Sequence, residues 1–187
     1  MKIYKYENYD EYVKAQVDAN HRKISKVWAE KPVLENLRKH KRAAKVILCH
    51  GTRNGKEQQF FREIYPDVEQ VVGTEISDTA NQFPDTIQHD FHKDIPDLVG
   101  KCDLIYSNSF DHSYDPEMCL GVWHRHLTNN GVLALEIMVG GENKSKLSDP
   151  LEISEEEVKE LADNLGMTFK KSYEGVKDCS KLLVFGR

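Results

Sequence analysis

The chain has 187 residues, 31 of them acidic and 26 basic, with a formal charge of −5. It is long enough to bury one full core without staples, and it has no global positive field to recruit nucleic acid or an anionic membrane. The charged first ten residues do not suit a signal peptide, no apolar run approaches a membrane span, and Cys49, Cys102, Cys119 and Cys179 form no CxxC pair, so a cytoplasmic protein with free thiols is expected.

In chain order, Asn8 and Glu11 form a capping-box pattern. Tyr9, Tyr12, Val13, Val17, Ile24, Val27 and Trp28 then recur at helical intervals, which predicts an amphipathic helix ending before Pro32. Pro32 suits the first turn of a shorter helix carrying Val33, Leu34 and Leu37. Its basic end, Arg38, Lys39, Lys41 and Arg42, reads as a solvated terminus complementing the helix dipole.

Val46 to Cys49 is an apolar strand that breaks into His50, Gly51, Thr52, Arg53, Asn54 and Gly55. A helix from Lys56 to Tyr65 follows, and a second strand, Val71 to Thr74, ends in Glu75. This is a βαβ unit whose crossover brings the glycine-bearing turn and the acid to one edge of the sheet, where open α/β sheets bind nucleotides. Gly51 lets the chain turn sharply, Gly55 opens the start of the helix to an anion, and Glu75 can accept both hydroxyls of a ribose.

Ile76 to Pro84 leaves room for a turn or one short helix before a third strand, Thr86 to His89, closed by Asp90, Phe91 and His92. A fourth strand, Cys102 to Ser107, ends in Asn108, Ser109, Phe110, Asp111 and His112. Asp115 then caps a helix carrying Leu120, Trp123 and Leu127, and Asn129, Asn130 and Gly131 signal a turn before a fifth strand, Val132 to Val139. Gly140 to Pro150 reads as a mobile loop beside the site. Ser154 and Glu157 open a last helix closed by Gly166, and two strands, Met167 to Tyr173 and Lys181 to Phe185, are joined too closely for anything but antiparallel pairing.

This alternation with its closing antiparallel pair resembles the class I S-adenosylmethionine-dependent methyltransferases of the small-molecule type. Leu48 to Gly55 matches the first, glycine-rich motif in position, Glu75 the ribose-holding acid, and Asp90 with Phe91 the pair that brackets the adenine. The strongest match is the block from Asp103 to Glu136, with Ser107 to His112, Asp115, Pro116 and Leu127 to Gly131. The resemblance implies an α/β, three-layer Rossmann-like sandwich around a seven-stranded, mostly parallel sheet of order 3-2-1-4-5-7-6 with one antiparallel strand. It covers residues 45–187, and the helices of residues 1–44 look like an N-terminal lid.

The resemblance further implies S-adenosylmethionine as cofactor and S-adenosylhomocysteine as product. His50, Gly51, Thr52, Arg53, Gly55, Glu75, Ile76, Asp90, Phe91 and Asn108 are the implied cofactor-binding residues. The motif departs from the usual three alternating glycines, and Arg53 and Lys56 stand where they can hold the methionine carboxylate.

Methyl transfer from a sulfonium mainly requires alignment and exclusion of water, with a base only where the acceptor loses a proton. Asp111 and His112, after the fourth strand, are the candidate catalytic pair, as base or as pocket wall. No metal is expected. Third and fourth strands lie three places apart in the implied order, about 14 Å, which separates His92 from His112. The expected acceptor is a small or sugar-like molecule, because the chain lacks the insertions and the NPPY-type motif of base methylation. Two other readings stay open: a non-catalytic S-adenosylmethionine-binding or interaction protein, and a nicotinamide-dependent oxidoreductase, which wants a GxGxxG spacing absent here. Oligomeric state is left open.

Overall fold

A computed structural model describes residues 1–139, 146–175 and 180–187. Its centre is a seven-stranded sheet formed by β2 (Val46–His50), β3 (Gln70–Glu75), β4 (Thr86–Gln88), β5 (Cys102–Ser107), β6 (Leu127–Met138), β8 (Thr168–Glu174) and β9 (Ser180–Gly186), in the order β4-β3-β2-β5-β6-β9-β8. Counted along the chain this is 3-2-1-4-5-7-6, and β9 alone runs antiparallel to its neighbours. The architecture is the Rossmann-like α/β sandwich, with the strand order, that the resemblance implies.

Alternating residues of each strand feed two cores, one on each face. Leu48, Ile105, Leu133 and Leu135 pack with Leu120 and Trp123 of α4 (Pro116–His126) and Val158 and Ala162 of α5 (Glu155–Asn164). Ile47, Cys49, Leu104 and Tyr106 pack with Leu34 of α2 (Lys31–Leu34) and with Phe61 and Ile64 of α3 (Lys56–Ile64). Burying a side chain such as Phe61 stabilises the fold by roughly 1.5–3 kcal/mol. Helix α1 (Tyr9–Lys23) differs: its buried residues, Tyr12, Ala15, Gln16, Ala19 and Asn20, belong to neither core.

The structure corrects several boundaries. Helix α1 stops at Lys23 instead of running to Trp28, because the carbonyls of Ile24 and Lys26 are taken by Asn54 Nδ2 (2.9 and 3.2 Å) and that of Lys26 also by Arg53 Nη1 (3.3 Å). The helix end thus docks on the glycine-bearing turn. Asn8 caps α1 through the Glu11 amide, but the Glu11 carboxylate accepts from the Glu7 amide, so the box is not reciprocal.

The third strand ends at Gln88, and Asp90 to His92 lie in the turn beyond it. Asn129, Asn130 and Gly131 do not form a turn: β6 begins at Leu127 and absorbs them as an irregularity opposite Cys102 and Leu104, with Gly131 against Leu127.

A small antiparallel sheet that periodicity does not reveal pairs β1 (Lys2–Ile3) with β7 (Leu151–Glu152). Residues 140–145 of the expected mobile loop, and Cys179, lie outside the described residues. Among the described residues no helix is long and apolar enough to cross a membrane, and Cys49, Cys102 and Cys119 are free and buried.

Candidate functional site

The register levels the ends of three strands, His50 beside Thr74 and Ser107. The chain leaves this edge through the turn at Gly51 (φ +69°), Arg53 (φ +47°) and Gly55 (φ +71°). At Gly51 a Cβ would stand 2.6 Å from the Ser109 Cβ, so only glycine fits between the two strand ends. Arg53 holds a left-handed conformation costly for a residue with a side chain. Its amide donates to Glu75 Oε2 (3.2 Å), which fixes the turn on the acid.

Two adjoining cavities open at this edge and share Gly51, Arg53, Ser109 and His112. The larger, about 290 Å³, is walled by Thr52, Arg53, Glu57, Asn108, Asp111 and His112, with Glu136 to Met138 and Asp149 beyond. The smaller, about 40 Å³, lies between Glu75, Ile76, Asp90 and Phe91 on the sheet side and Tyr12, Gln16, Ala19 and Asn20 of α1. All the expected residues but three border one cavity or the other, and one of the three, Lys56, turns its Nζ to Gln59 Oε1 (2.9 Å) and over the Phe60 ring.

The other two exceptions are His50 and Gly55. The His50 ring turns into the core, stacked on Trp123 (4.6 Å between centroids, 13° between planes), with Nδ1 2.9 Å from Thr74 Oγ1. Burial keeps this imidazole neutral by pulling its pKa well down. Gly55 is the left-handed residue that starts α3.

Glu75 is buried, with Oε1 accepting from the Ser77 amide (3.1 Å) and Oε2 from Arg53. Each oxygen keeps a second lone pair for a ligand hydroxyl. Asp90 is more fully engaged: Oδ1 accepts from the His92 amide (3.0 Å) and faces its Nδ1 (2.8 Å), while Oδ2 accepts from the Tyr9 hydroxyl (2.8 Å). Burial alone would raise this carboxyl, but the bonds from His92 and Tyr9 outweigh it and hold the pKa at about 2.

His92 also lies 2.8 Å from Ser113 Oγ, the residue after His112. The third and fourth strands do lie three places apart, but the loop after β5 folds back so that Ser113 reaches His92, and both His92 nitrogens are occupied by protein groups.

His112 Nδ1 is 2.6 Å from Gln16 Oε1. The Gln16 amide nitrogen donates to the Ser148 carbonyl (3.3 Å), so the Gln16 oxygen accepts and the proton of a neutral His112 sits on Nδ1. Nε2 is then the basic nitrogen. It faces Asp111 Oδ1 at 3.8 Å and Asp149 Oδ1 at 3.7 Å.

Burial raises the Asp111 carboxyl, with Asp149 adding to it against the pull of His112. At Asp149 burial is outweighed by Lys146, His112 and Lys23, so its pKa falls. Such a convergence of His and carboxylates has the donor set of a cation site. Here Lys146 Nζ, 2.8 Å from Asp149, already supplies a cation.

Sequence reasoning missed Gln16, Asn20, Glu57 and Asp149. For the first two a signal existed: they are polar residues four apart on the buried stripe of α1. Thr79 Oγ1 donates to Asn20 Oδ1 (2.8 Å), whereas Asn20 Nδ2 and Glu57 Oε2 are buried and have no partner among the described residues. Two orphaned polar atoms beside the buried Glu75 and the Gly51 turn have the chemistry that a ligand with a nucleoside and an amino-acid end would satisfy.

No protein-family model matches the chain, and no curated protein matches it in sequence. Solved structures do match in fold. The Burkholderia thailandensis 1,6-didemethyltoxoflavin-N1-methyltransferase, crystallised with 1,6-didemethyltoxoflavin and S-adenosylhomocysteine, superposes with a TM-score of 0.76 over 98% of this chain and 92% of its own, at 15% identity. An S-adenosylmethionine-dependent methyltransferase from Aquifex aeolicus gives 0.66 over 96% and 98%, also at 15% identity. OxaC with S-adenosylhomocysteine and oxaline gives 0.71 at 10% identity, over 96% of this chain and 54% of that one. The fold is therefore that of the class I methyltransferases.

Proposed function

We propose that the protein catalyses methyl transfer from S-adenosylmethionine to a small-molecule or sugar-like acceptor. The observation that carries this reading is the junction of two features at one sheet edge: the Gly51 turn clasped to Glu75, and the cavity of about 290 Å³ bearing Asp111 and His112. The donor brings an activated methyl group on a sulfonium, so the chain's own work is to bind, align, keep water out and manage one proton. Glu75 takes the ribose hydroxyls, while Asn20 Nδ2, Ile76, Asp90 and Phe91 border the nucleoside side. Thr52, Arg53 and Asn108 border the opposite end.

His112 is the base for an acceptor that carries a proton. Gln16 holds its tautomer, Nε2 receives the proton, and Asp111 and Asp149 offset the charge that then forms on the ring. Of residues 1–44, the part that acts as a lid on residues 45–187 is α1, because Val33, Leu34 and Leu37 are fixed in a core of that domain. The smaller cleft, at about 40 Å³, has room for only about three waters, so α1 moves outward to admit a nucleoside. Helix α1 is held by polar bonds from Tyr9, Gln16 and Asn20 and by Tyr12, which packs on Tyr6, His92 and Tyr114, but it belongs to neither sheet core, so it can open while both cores stay intact.

The test is to incubate the protein with methyl-labelled S-adenosylmethionine and a pool of small hydroxylated and amine metabolites, and to follow the label by mass spectrometry. Labelled product is expected. Donor binding without any transfer of label to any pool fraction would make it a non-catalytic binding protein.

A further inference from the structure

Glu57 is a carboxylate that the fold itself does not use. It lies in the first turn of α3 with 5% of its surface exposed, walls the larger cavity, and accepts one long bond from Asn108 Nδ2 (3.4 Å) through Oε1. Oε2 has no partner among the described residues. The nearby Tyr106 hydroxyl donates to Glu136 instead (2.8 Å). A buried carboxylate left this way costs stability, and glutamine would serve a purely structural position as well. Arg53, four residues earlier, walls both cavities.

We propose that Glu57 is the receptor for the α-ammonium group at the methionine end of the donor, with Arg53 facing the α-carboxylate. This rests on the donor reading above and extends it to the end of the ligand farthest from the nucleoside. The pair recognises a zwitterion by side-chain charge in a turn that lacks the usual run of alternating glycines.

The groups around Glu57 are Arg53 of the turn, Asn108 after β5, Glu136 of β6, and Cys49 and Tyr106 of the strands beneath. Burial pushes the Glu57 carboxyl up to about 7, against the lowering pull of its own amide, Arg53 and Asn108. Near neutrality the empty site therefore holds a partly protonated acid. Arrival of an ammonium ionises it, and the displaced proton passes to the buffer.

The test compares ligands that differ only at the amino-acid end, by calorimetry. Glu57→Gln should weaken S-adenosylhomocysteine by about ten- to a hundredfold and leave 5′-methylthioadenosine, which has no ammonium, unchanged. Retained 5′-methylthioadenosine binding also certifies that the variant is folded. The unaltered protein provides an arm that needs no variant: the analogue of S-adenosylhomocysteine without its α-amino group should bind more weakly by the same factor. In buffers of different ionisation heat near neutral pH, S-adenosylhomocysteine should release a measurable fraction of a proton and 5′-methylthioadenosine none. Equal binding of S-adenosylhomocysteine and its des-amino analogue to the unaltered protein, or unchanged S-adenosylhomocysteine affinity in Glu57→Gln, overturns the assignment while leaving the donor reading intact. Failure of the unaltered protein to bind either thioadenosine ligand removes both.

Discussion

Helices α1 and α3 both border the same sheet edge, yet they are held in opposite ways. Helix α3 is anchored in a core through Phe61 and Ile64, and its first turn follows directly from the strand that supplies Gly51. Helix α1 contributes to neither core and is fastened by side-chain bonds to Asp90, Thr79 and His112. One wall of the site is therefore part of the folded scaffold, and the other, outside both cores, is the one that the proposed lid motion would lift. A scaffold wall suits the tight grip on a donor, and a detachable wall suits entry and enclosure.

The largest expected effect comes from the residue that the two walls share. His112→Asn keeps size and some hydrogen bonding but removes the base, so turnover should fall by about a hundredfold or more with S-adenosylhomocysteine affinity preserved. The rise of rate with pH should disappear in the same variant. Weaker ligand binding with an unaltered pH profile would instead place His112 in the wall.

Next comes Glu75→Ala on the scaffold side. Loss of charge-assisted hydrogen bonds worth about 1.5–3 kcal/mol should weaken S-adenosylhomocysteine by roughly ten- to a hundredfold in calorimetry. Unchanged affinity would remove Glu75 from the ribose.

On the detachable side, the amides of α1 should exchange with solvent at least about tenfold faster than those of α3, and slow down when S-adenosylhomocysteine binds. Equal protection of the two helices would mean that α1 is packing, not a lid.

The smallest effect tests one latch. The Asp90 carboxyl is held at about 2, below its ordinary value near 4, so the folded state binds the proton less readily than the unfolded chain. Its contribution, on the order of 2 kcal/mol, is complete above about pH 4 and is lost as pH falls toward 2. Denaturant titrations of the protein and of Tyr9→Phe across that window should show the acid-sensitive part shrinking in the variant.

The same division explains what could be read in the sequence. The scaffold wall is local: the apolar run, Gly51, the α3 stripe and Glu75 fall within thirty or so residues, and periodicity with glycine placement suffices to order them. The sheet order came from the resemblance carried by those residues and by the block after Asp103. The detachable wall is assembled from distant segments. Gln16 meets His112, Asp149 comes from beyond β6, and β1 pairs with β7 across the length of the chain. A two-residue strand has no period to detect. Glu57 was hidden differently, since an acid in a first helical turn is an ordinary dipole partner until its burial is known.

Calorimetric titration of the unaltered protein with S-adenosylhomocysteine, beside an identical titration with NAD, bears most directly on the central claim. Saturable binding of S-adenosylhomocysteine at one site per chain, with no heat from NAD, is the expected result. Heat from NAD alone, or from neither ligand, would contradict the claim that this sheet edge holds a methyl donor.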